Sequence, residues 1–254
     1  MILDKFKLNG KVAVVTGAGR GLGQGIAIGL AEAGADVALV VSSTTHDQTA
    51  KQIKALGRRV CQIQANLLHK DSVAKIVDTT VKELGGIDIL VNNAGTIRRA
   101  PLLEFTELDW DEVIQINQKS LFFLTQAVGK QMITQGRGGK IINIASMLSF
   151  QGGIRVPSYT ASKSAVMGLT RIMANELAAH NINVNAIAPG YMETDNTAAL
   201  RADPKRNAEI LARIPAGRWG SPEDLKGAAV FLASAASDYM QGYTIAVDGG
   251  WLAR

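Results

Sequence analysis

Tyr159 and Lys163 lie four residues apart in a stretch with helical patterning, so a helix would put both on one face. That pairing suits proton transfer. Oxidising an alcohol needs a base to take the hydroxyl proton as hydride leaves the carbon. A free phenol, with a pKa of about 10, is too weakly acidic to serve as that base at neutral pH. A neighbouring ammonium favours phenolate, and in the reverse direction Tyr159 would donate the proton. Ser146 stands thirteen residues earlier, at the end of a strand-like stretch. Its hydroxyl could hydrogen-bond a substrate oxygen and stabilise developing charge. A hydrolase nucleophile is the competing reading of Ser146. However, no G-x-S-x-G surrounds it, and His46, His69 and His180 form no triad pattern. The histidines also lack metal-ligand spacing, and HExxH and CxxC are absent, so no metal site is expected.

The second feature is a glycine-rich turn. Lys-Val-Ala-Val-Val-Thr at 11–16 runs into Gly17-Ala-Gly19-Arg20-Gly21-Leu22-Gly23, and a helical pattern begins there. A strand, a glycine turn and a helix N-terminus make a cradle for a dinucleotide pyrophosphate: the backbone can approach closely and free N–H groups face the anion. A bound oxidised nicotinamide would add positive charge beside Tyr159. Lowering a phenol by about three units takes roughly 4 kcal/mol, within reach of two cations in a partly dry site. The spacing is not G-x-G-x-x-G but Thr16-Gly17-x-x-x-Gly21-x-Gly23.

These residues need a frame. Apolar stretches at 12–16, 37–41, 60–64, 87–91, 140–145, 183–188 and 244–247 read as strands. Helical patterns fall at 21–33, 47–56, 71–84, 107–134, 159–180 and 222–234. The alternation predicts an α/β fold, a doubly wound (Rossmann) parallel sheet of about seven strands with helices on both faces. Thr106–Asp109 and Ser221–Asp224 read as capping boxes, with Pro222 at the first helical position. No linker, repeat or low-complexity tract divides the 254 residues, so one domain over 1–254 is expected. Residues 191–216 have weaker periodicity and read either as a mobile substrate flap or as an ordered helical excursion.

Composition excludes other classes. With 47% apolar and 19% charged residues, the chain is neither disordered nor collagen-like. No apolar run approaches the roughly 18–20 residues of a membrane span. The first residues show no signal-peptide pattern. Cys61 is the only cysteine, so no intramolecular disulfide is possible, which suits a reducing compartment; a cytoplasmic setting is expected. The net charge of +5 comes without any block of like charges, so no nucleic-acid partner is expected.

The pattern Thr16-Gly17-x-x-x-Gly21-x-Gly23 resembles the short-chain dehydrogenase/reductase family. So do Asn92-Asn93-Ala94-Gly95 after the fourth strand, Ser146 after the fifth, Tyr159-x-x-x-Lys163, and Pro189-Gly190 with Thr194 after the sixth. The features follow the family's order over almost the whole chain. The resemblance implies a catalytic tetrad of Asn117, Ser146, Tyr159 and Lys163. Asn117 would hold a water joining Lys163 to solvent, and Lys163 would also bind the nicotinamide ribose. From the residues alone, Asn117 is a polar group in an apolar helical stretch that needs partners, and a kinked helix is the plainer reading. The resemblance also implies coenzyme contacts from Gly17, Gly19, Arg20, Gly21, Leu22 and Gly23, from Ser42, Asn66 and Leu67, and from Asn93, Ala94 and Gly95. Tyr159, Lys163, Pro189, Gly190 and Thr194 complete the set. A homotetramer built through the two long helices and the C-terminal strand is implied as well.

The coenzyme's identity stays open on the residues. The end of the second strand reads Val40-Val41-Ser42-Ser43, without the acid that usually holds the adenosine 2′-hydroxyl, while Arg20 could meet a 2′-phosphate. The second half, at 139–159, 181–192, 213–220 and 247–254, resembles the branch of the family that interconverts ketone and alcohol on a six-carbon sugar acid, mainly with NAD. That resemblance favours NAD, with NADP not excluded. A sugar acid needs a cationic partner; Arg98 and Arg155 are placed for it, Gln151 for a hydroxyl, and Met192 with Ser146 and Tyr159 for the pocket wall. Met147, Phe150 and Met192 would instead suit a more apolar ketone. Two other readings are an NADPH-dependent 3-oxoacyl or other ketone reductase, and a non-catalytic dinucleotide- or nucleic-acid-binding regulator. The tail 249–254 would pack on a neighbouring subunit or over a pocket.

Overall fold

Alternate residues of the first strand, β1 (Val12–Thr16), belong to opposite sides of one sheet: Val12 and Val14 to one apolar cluster, Ala13 and Val15 to another. Both faces are therefore covered, which explains why the strand is apolar throughout. The structure is a computed structural model and describes residues 1–42 and 47–254; Ser43 and His46 lie outside the described residues. Among those described, the sheet has seven parallel strands in the order β3-β2-β1-β4-β5-β6-β7. The others are β2 (Asp36–Val41), β3 (Val60–Gln64), β4 (Ile89–Asn92), β5 (Gly139–Ile144), β6 (Ile182–Pro189) and β7 (Thr244–Val247). All seven expected strands are present. The strand order reverses between β1 and β4, which opens a crevice at the strands' C-terminal ends.

The helices are α1 (Gly21–Glu32), α2 (Asp47–Ala55), α3 (Asp71–Leu84), α4 (Glu107–Ile114), α5 (Leu121–Gln135), α6 (Pro157–Leu177), α7 (Ala198–Ala202), α8 (Pro204–Arg213) and α9 (Lys226–Ala233). The single helix expected over 107–134 is interrupted. Between α4 and α5 the backbone widens into a π turn at Gln115–Ser120, with Asn117 buried inside it. Residues 191–216 form an ordered helical excursion: a short turn at Asp195–Thr197, then α7 and α8. The weak periodicity there has a simple cause. Of α8 only Ile210 is buried, in a small separate cluster with Met147, Ile214, Trp219 and Trp251. The tail turns back over that cluster, and Trp251 is buried.

The end of the sheet away from the crevice is tied by Asp88. Its carboxylate accepts Val12 N at 2.9 Å and a two-pronged contact from Arg137 at 2.7 and 3.1 Å. It joins the first residue of β1 to the approach of β4, the two strands that flank the crevice. Among the described residues, no helix is long and apolar enough to cross a membrane, and no group of three His, Cys, Asp or Glu side chains could hold a metal. Replacing Asp88 by Ala leaves Val12 N and Arg137 unpaired and is expected to lower unfolding stability by about 2–3 kcal/mol. Urea titration checks this, and a loss under 0.5 kcal/mol would contradict the assigned role.

Candidate active site

Glycine is required at two points of the turn after β1. Gly17 has φ +65°, and a Cβ on Gly23 would lie 2.2 Å from the Gly17 carbonyl oxygen. The turn is held from β4. Thr16 Oγ1 accepts Asn93 N and Ala94 N at 3.0 and 2.9 Å, and Asn93 Nδ2 donates to Thr16 O at 2.8 Å. The N-terminus of α1 consequently opens into a cleft of about 470 Å³. Its wall carries Gly17, Gly19, Arg20, Gly21, Leu22 and Gly23 from the turn, and Ser42, Asn66 and Leu67 from the ends of β2 and β3. Asn93, Ala94, Gly95, Tyr159, Lys163 and Thr194 complete the expected set there. Close backbone, free helix N–H groups and the apolar sides of Val40 and Ile116 fit a dinucleotide. Pro189 and Gly190, expected with these residues, line an adjoining cleft instead.

That second cleft, about 760 Å³, is walled by Ser146, Gln151, Arg155, Tyr159 and Met192 together with the helical excursion and Trp251. Tyr159 borders both clefts. Ser146 is the polar side chain beside its hydroxyl that favours the phenolate, and Ser146 Oγ accepts Leu148 N at 3.1 Å. Beneath the tyrosine, Lys163 is 4% exposed. Its Nζ donates to Ile144 O at 2.5 Å and lies 5.7 Å from the Tyr159 ring centroid. Burial lowers the Lys163 pKa to about 8.

For Tyr159 the protein's own groups work against the expected lowering. Burial raises the phenol pKa, while the Ser146 side chain and the charge of Arg99 pull it part of the way back. The charge that offsets burial at Tyr159 is that of Arg99.

Asn117 reaches from the π turn to two neighbours. Its Oδ1 accepts Thr96 N at 2.8 Å, and its Nδ2 donates to Thr96 O at 3.0 Å and Ser162 Oγ at 3.1 Å. It therefore ties the loop after β4 to the helix bearing Tyr159 and Lys163. A second tie is a buried polar ladder that sequence reading missed. Asn92 Nδ2 donates to Thr125 Oγ1 and Asn143 Oδ1, both at 2.9 Å, and Asn143 Nδ2 donates to Thr170 Oγ1 at 3.0 Å. Asn92 and Asn143 are register partners in β4 and β5, so the ladder locks the strand ends to α5 and α6. The available signal was a polar residue near the end of each apolar strand.

Arg98 does not reach the pocket. It pairs with Glu112 at 2.7 Å and Asp109 at 3.5 Å on α4. The next residue, Arg99, lines the second cleft and donates to Asn196 O at 3.0 Å. An extended loop carries no periodicity to decide between two adjacent arginines. Arg20 makes an ion pair with Asp195 of the excursion at 2.8 Å, and both lie on the wall of the first cleft. Asp195 and Asn196, as well as Arg213 in the second cleft, had no assigned role in the sequence reading, while Trp251 of the tail packs over a pocket, one of its two expected placements.

A family model described as enoyl-(acyl carrier protein) reductase matches residues 17–252. The chain is 65% identical to the 2-dehydro-3-deoxy-D-gluconate 5-dehydrogenase of Escherichia coli (strain K12) over the full length of both. It is also similar to a solved structure from Agrobacterium tumefaciens described as a candidate 2-deoxy-D-gluconate 3-dehydrogenase with bound NADP. That structure is 56% identical, has a TM-score of 0.91, and matches over 99% of this chain and 100% of its own. A gluconate 5-dehydrogenase from Burkholderia cenocepacia J2315 in complex with NADP and tartrate is 40% identical, with a TM-score of 0.95 and full coverage of both chains.

Lys163 should destabilise the fold. Its folded pKa of about 8 lies below the ordinary 10.5, so between those values the unfolded chain holds the extra proton and stability rises with pH. Below pH 8 the folded state bears the whole desolvation cost. Lys163→Met is expected to be more stable by about 2 kcal/mol at pH 7, after subtracting about 1 kcal/mol for the lost bond to Ile144. The difference should shrink by pH 10. Urea unfolding at both pH values tests this, and an advantage that does not change with pH would refute it.

Proposed function

The chain belongs to the short-chain dehydrogenase/reductase family, and from that premise we propose that it interconverts an alcohol and a ketone on a six-carbon sugar acid. The substrates to try first are 2-dehydro-3-deoxy-D-gluconate and 2-deoxy-D-gluconate. The reading rests on one observation: Tyr159, with Ser146 beside it, borders both the dinucleotide cleft and a cleft rimmed with arginines. The 65% identical relative of matching length supports the substrate class.

A nicotinamide coenzyme would accept or return the hydride and, when oxidised, add a positive charge near Tyr159. The glycine turn and the residues of the first cleft would hold it. Tyr159 takes the proton from the substrate hydroxyl in oxidation and returns it to the ketone oxygen in reduction. Ser146 bonds that oxygen as its charge changes. Lys163 supplies a nearby proton-exchanging amine and holds the ribose. Asn117 would hold the water that joins Lys163 to solvent, while its side-chain amide, bonded to Thr96 and Ser162, fixes its position. Arg155, Gln151 and Met192 would line the substrate.

We propose NAD as the working coenzyme. Arg20, placed to meet a 2′-phosphate, is engaged by Asp195. NADP is the second reading, favoured by Arg20 itself and by the NADP bound in three similar structures. A homotetramer is supported by the apolar side chains left exposed on α4 and α5, among them Leu108, Trp110 and Phe123. A cytoplasmic setting is part of the same reading.

In Tyr159→Phe, turnover is expected to drop by about 10²–10⁴-fold while the coenzyme still binds. In the parent enzyme, alcohol oxidation should climb with pH and ketone reduction decline, because the phenol is the group that must lose or hold the proton. Full activity of a folded Tyr159→Phe would remove Tyr159 from the chemistry. Asp195→Asn should lower KM for NADP by about two- to fivefold and leave NAD nearly unchanged, as expected for an exposed ion pair that competes for Arg20. The gain should vanish in an Arg20→Ala background, and kinetics with both coenzymes decide the matter.

A further inference from the structure

The second cleft holds four arginines, Arg99, Arg155, Arg206 and Arg213, against one carboxylate, Glu209. Their charges are not equally free. Arg206 is paired with Glu209 at 2.9 Å. Arg99 donates to the Asn196 carbonyl. Arg155 stands on an exposed loop next to Ile154, which is 81% exposed, so ordering its side chain on a ligand would cost conformational freedom.

Arg213 differs from all three. Its guanidinium carbon lies 4.0 Å from the Trp251 ring centroid, and its Nη2 donates to Gln151 Oε1 at 3.3 Å. Among the described residues, no carboxylate lies within salt-bridge distance of it; the one ion pair formed within its own helix is Arg206–Glu209.

The support under Arg213 is a closed loop of contacts. Trp251 packs at a steep angle on Tyr191, with centroids 4.7 Å apart, and Tyr191 packs edge-on against Trp219 at 5.3 Å. The Trp219 indole N–H donates to Asn207 Oδ1 at 2.7 Å, on the same helix, α8, that ends in Arg213. The tail carrying Trp251 is pinned through Asp248, which accepts Gly250 N and Leu252 N at 2.9 Å each. A flat cation laid on an indole keeps its edge N–H groups for a planar anion, and little side-chain freedom is left to lose.

We propose that Arg213, held by Trp251 and Gln151, binds the substrate carboxylate, and that the C-terminal tail is thereby part of substrate recognition. The proposal rests on the sugar-acid reading above. The test compares 2-deoxy-D-gluconate with 2-deoxy-D-gluconamide, which keeps every hydroxyl and lacks the charge. The parent enzyme is expected to prefer the acid by about tenfold or more in kcat/KM, the size of one charged hydrogen-bonded contact. Arg213→Gln should bring that preference to within about threefold through KM, with KM for the coenzyme unchanged. Arg213→Lys should recover only part of it, since an ammonium cannot lie flat on the indole. Trp251→Leu should raise KM for the acid more than for the amide. If Arg213→Gln keeps the parental preference while the parent turns over the acid, this assignment falls and the sugar-acid reading stands. If the parent turns over neither acid nor amide, nor any other sugar acid in a panel with both coenzymes, both fall.

Discussion

The site is organised around a lysine taken almost wholly out of water. Lys163 is 4% exposed, and among the described residues its Nζ makes one side-chain hydrogen bond, to Ile144 O. Burying an ammonium is costly, and the lowered pKa expresses that cost. The geometry persists because everything around it is tied down. Ile144 closes β5, Ser149 Oγ donates to the Lys163 carbonyl, and Ser162 receives the Asn117 amide. An amine that holds its proton up to about pH 8 can exchange it near neutrality, which an ordinary surface lysine does poorly.

The same burial acts on Tyr159 in the opposite sense. Desolvation holds the phenol protonated, and Ser146 and Arg99 offset only part of that. The protein's own groups thus produce a proton donor, and a positive coenzyme ring would be needed to tip it toward a base. On the proposed reading, acid and base forms would be linked to the coenzyme's redox state rather than built permanently into the apoprotein. The rigid supports for this arrangement are polar and buried: the Asn92–Asn143–Thr170 ladder on one side and the Asn117–Thr96 clasp on the other. Polar groups so deep must be paired, and each pairing fixes one element against another.

Around this rigid centre, recognition is assigned to the chain's later part. The excursion after β6 and the tail after β7 have few apolar residues turned toward the main sheet, and they hold together through their own cluster of Met147, Ile210, Ile214, Trp219 and Trp251. Part of the substrate wall therefore packs apart from the sheet, while Met192 of the same wall belongs to a cluster on the sheet itself.

Much of this was legible in the residues. A strand buried on both faces, such as β1, reads as an apolar run, and β1, β3 and β7 fall where the sequence puts them. The glycine turn, Ser146 at a strand end and the Tyr159–Lys163 spacing follow from local backbone demands, and the family resemblance added Asn93 and the order that brings them to one crevice. What spacing could not convey was the partner of each charge. Arg98 and Arg99 are neighbours in sequence, yet one pairs with α4 and the other faces the second cleft. Arg20 meets Asp195, and Arg213 meets Trp251, across long stretches of chain. The sign of the tyrosine's shift was equally out of reach, since it depends on how much water the surrounding elements exclude. Local geometry is written in short-range residue order; pairing and desolvation exist only once distant segments have packed together.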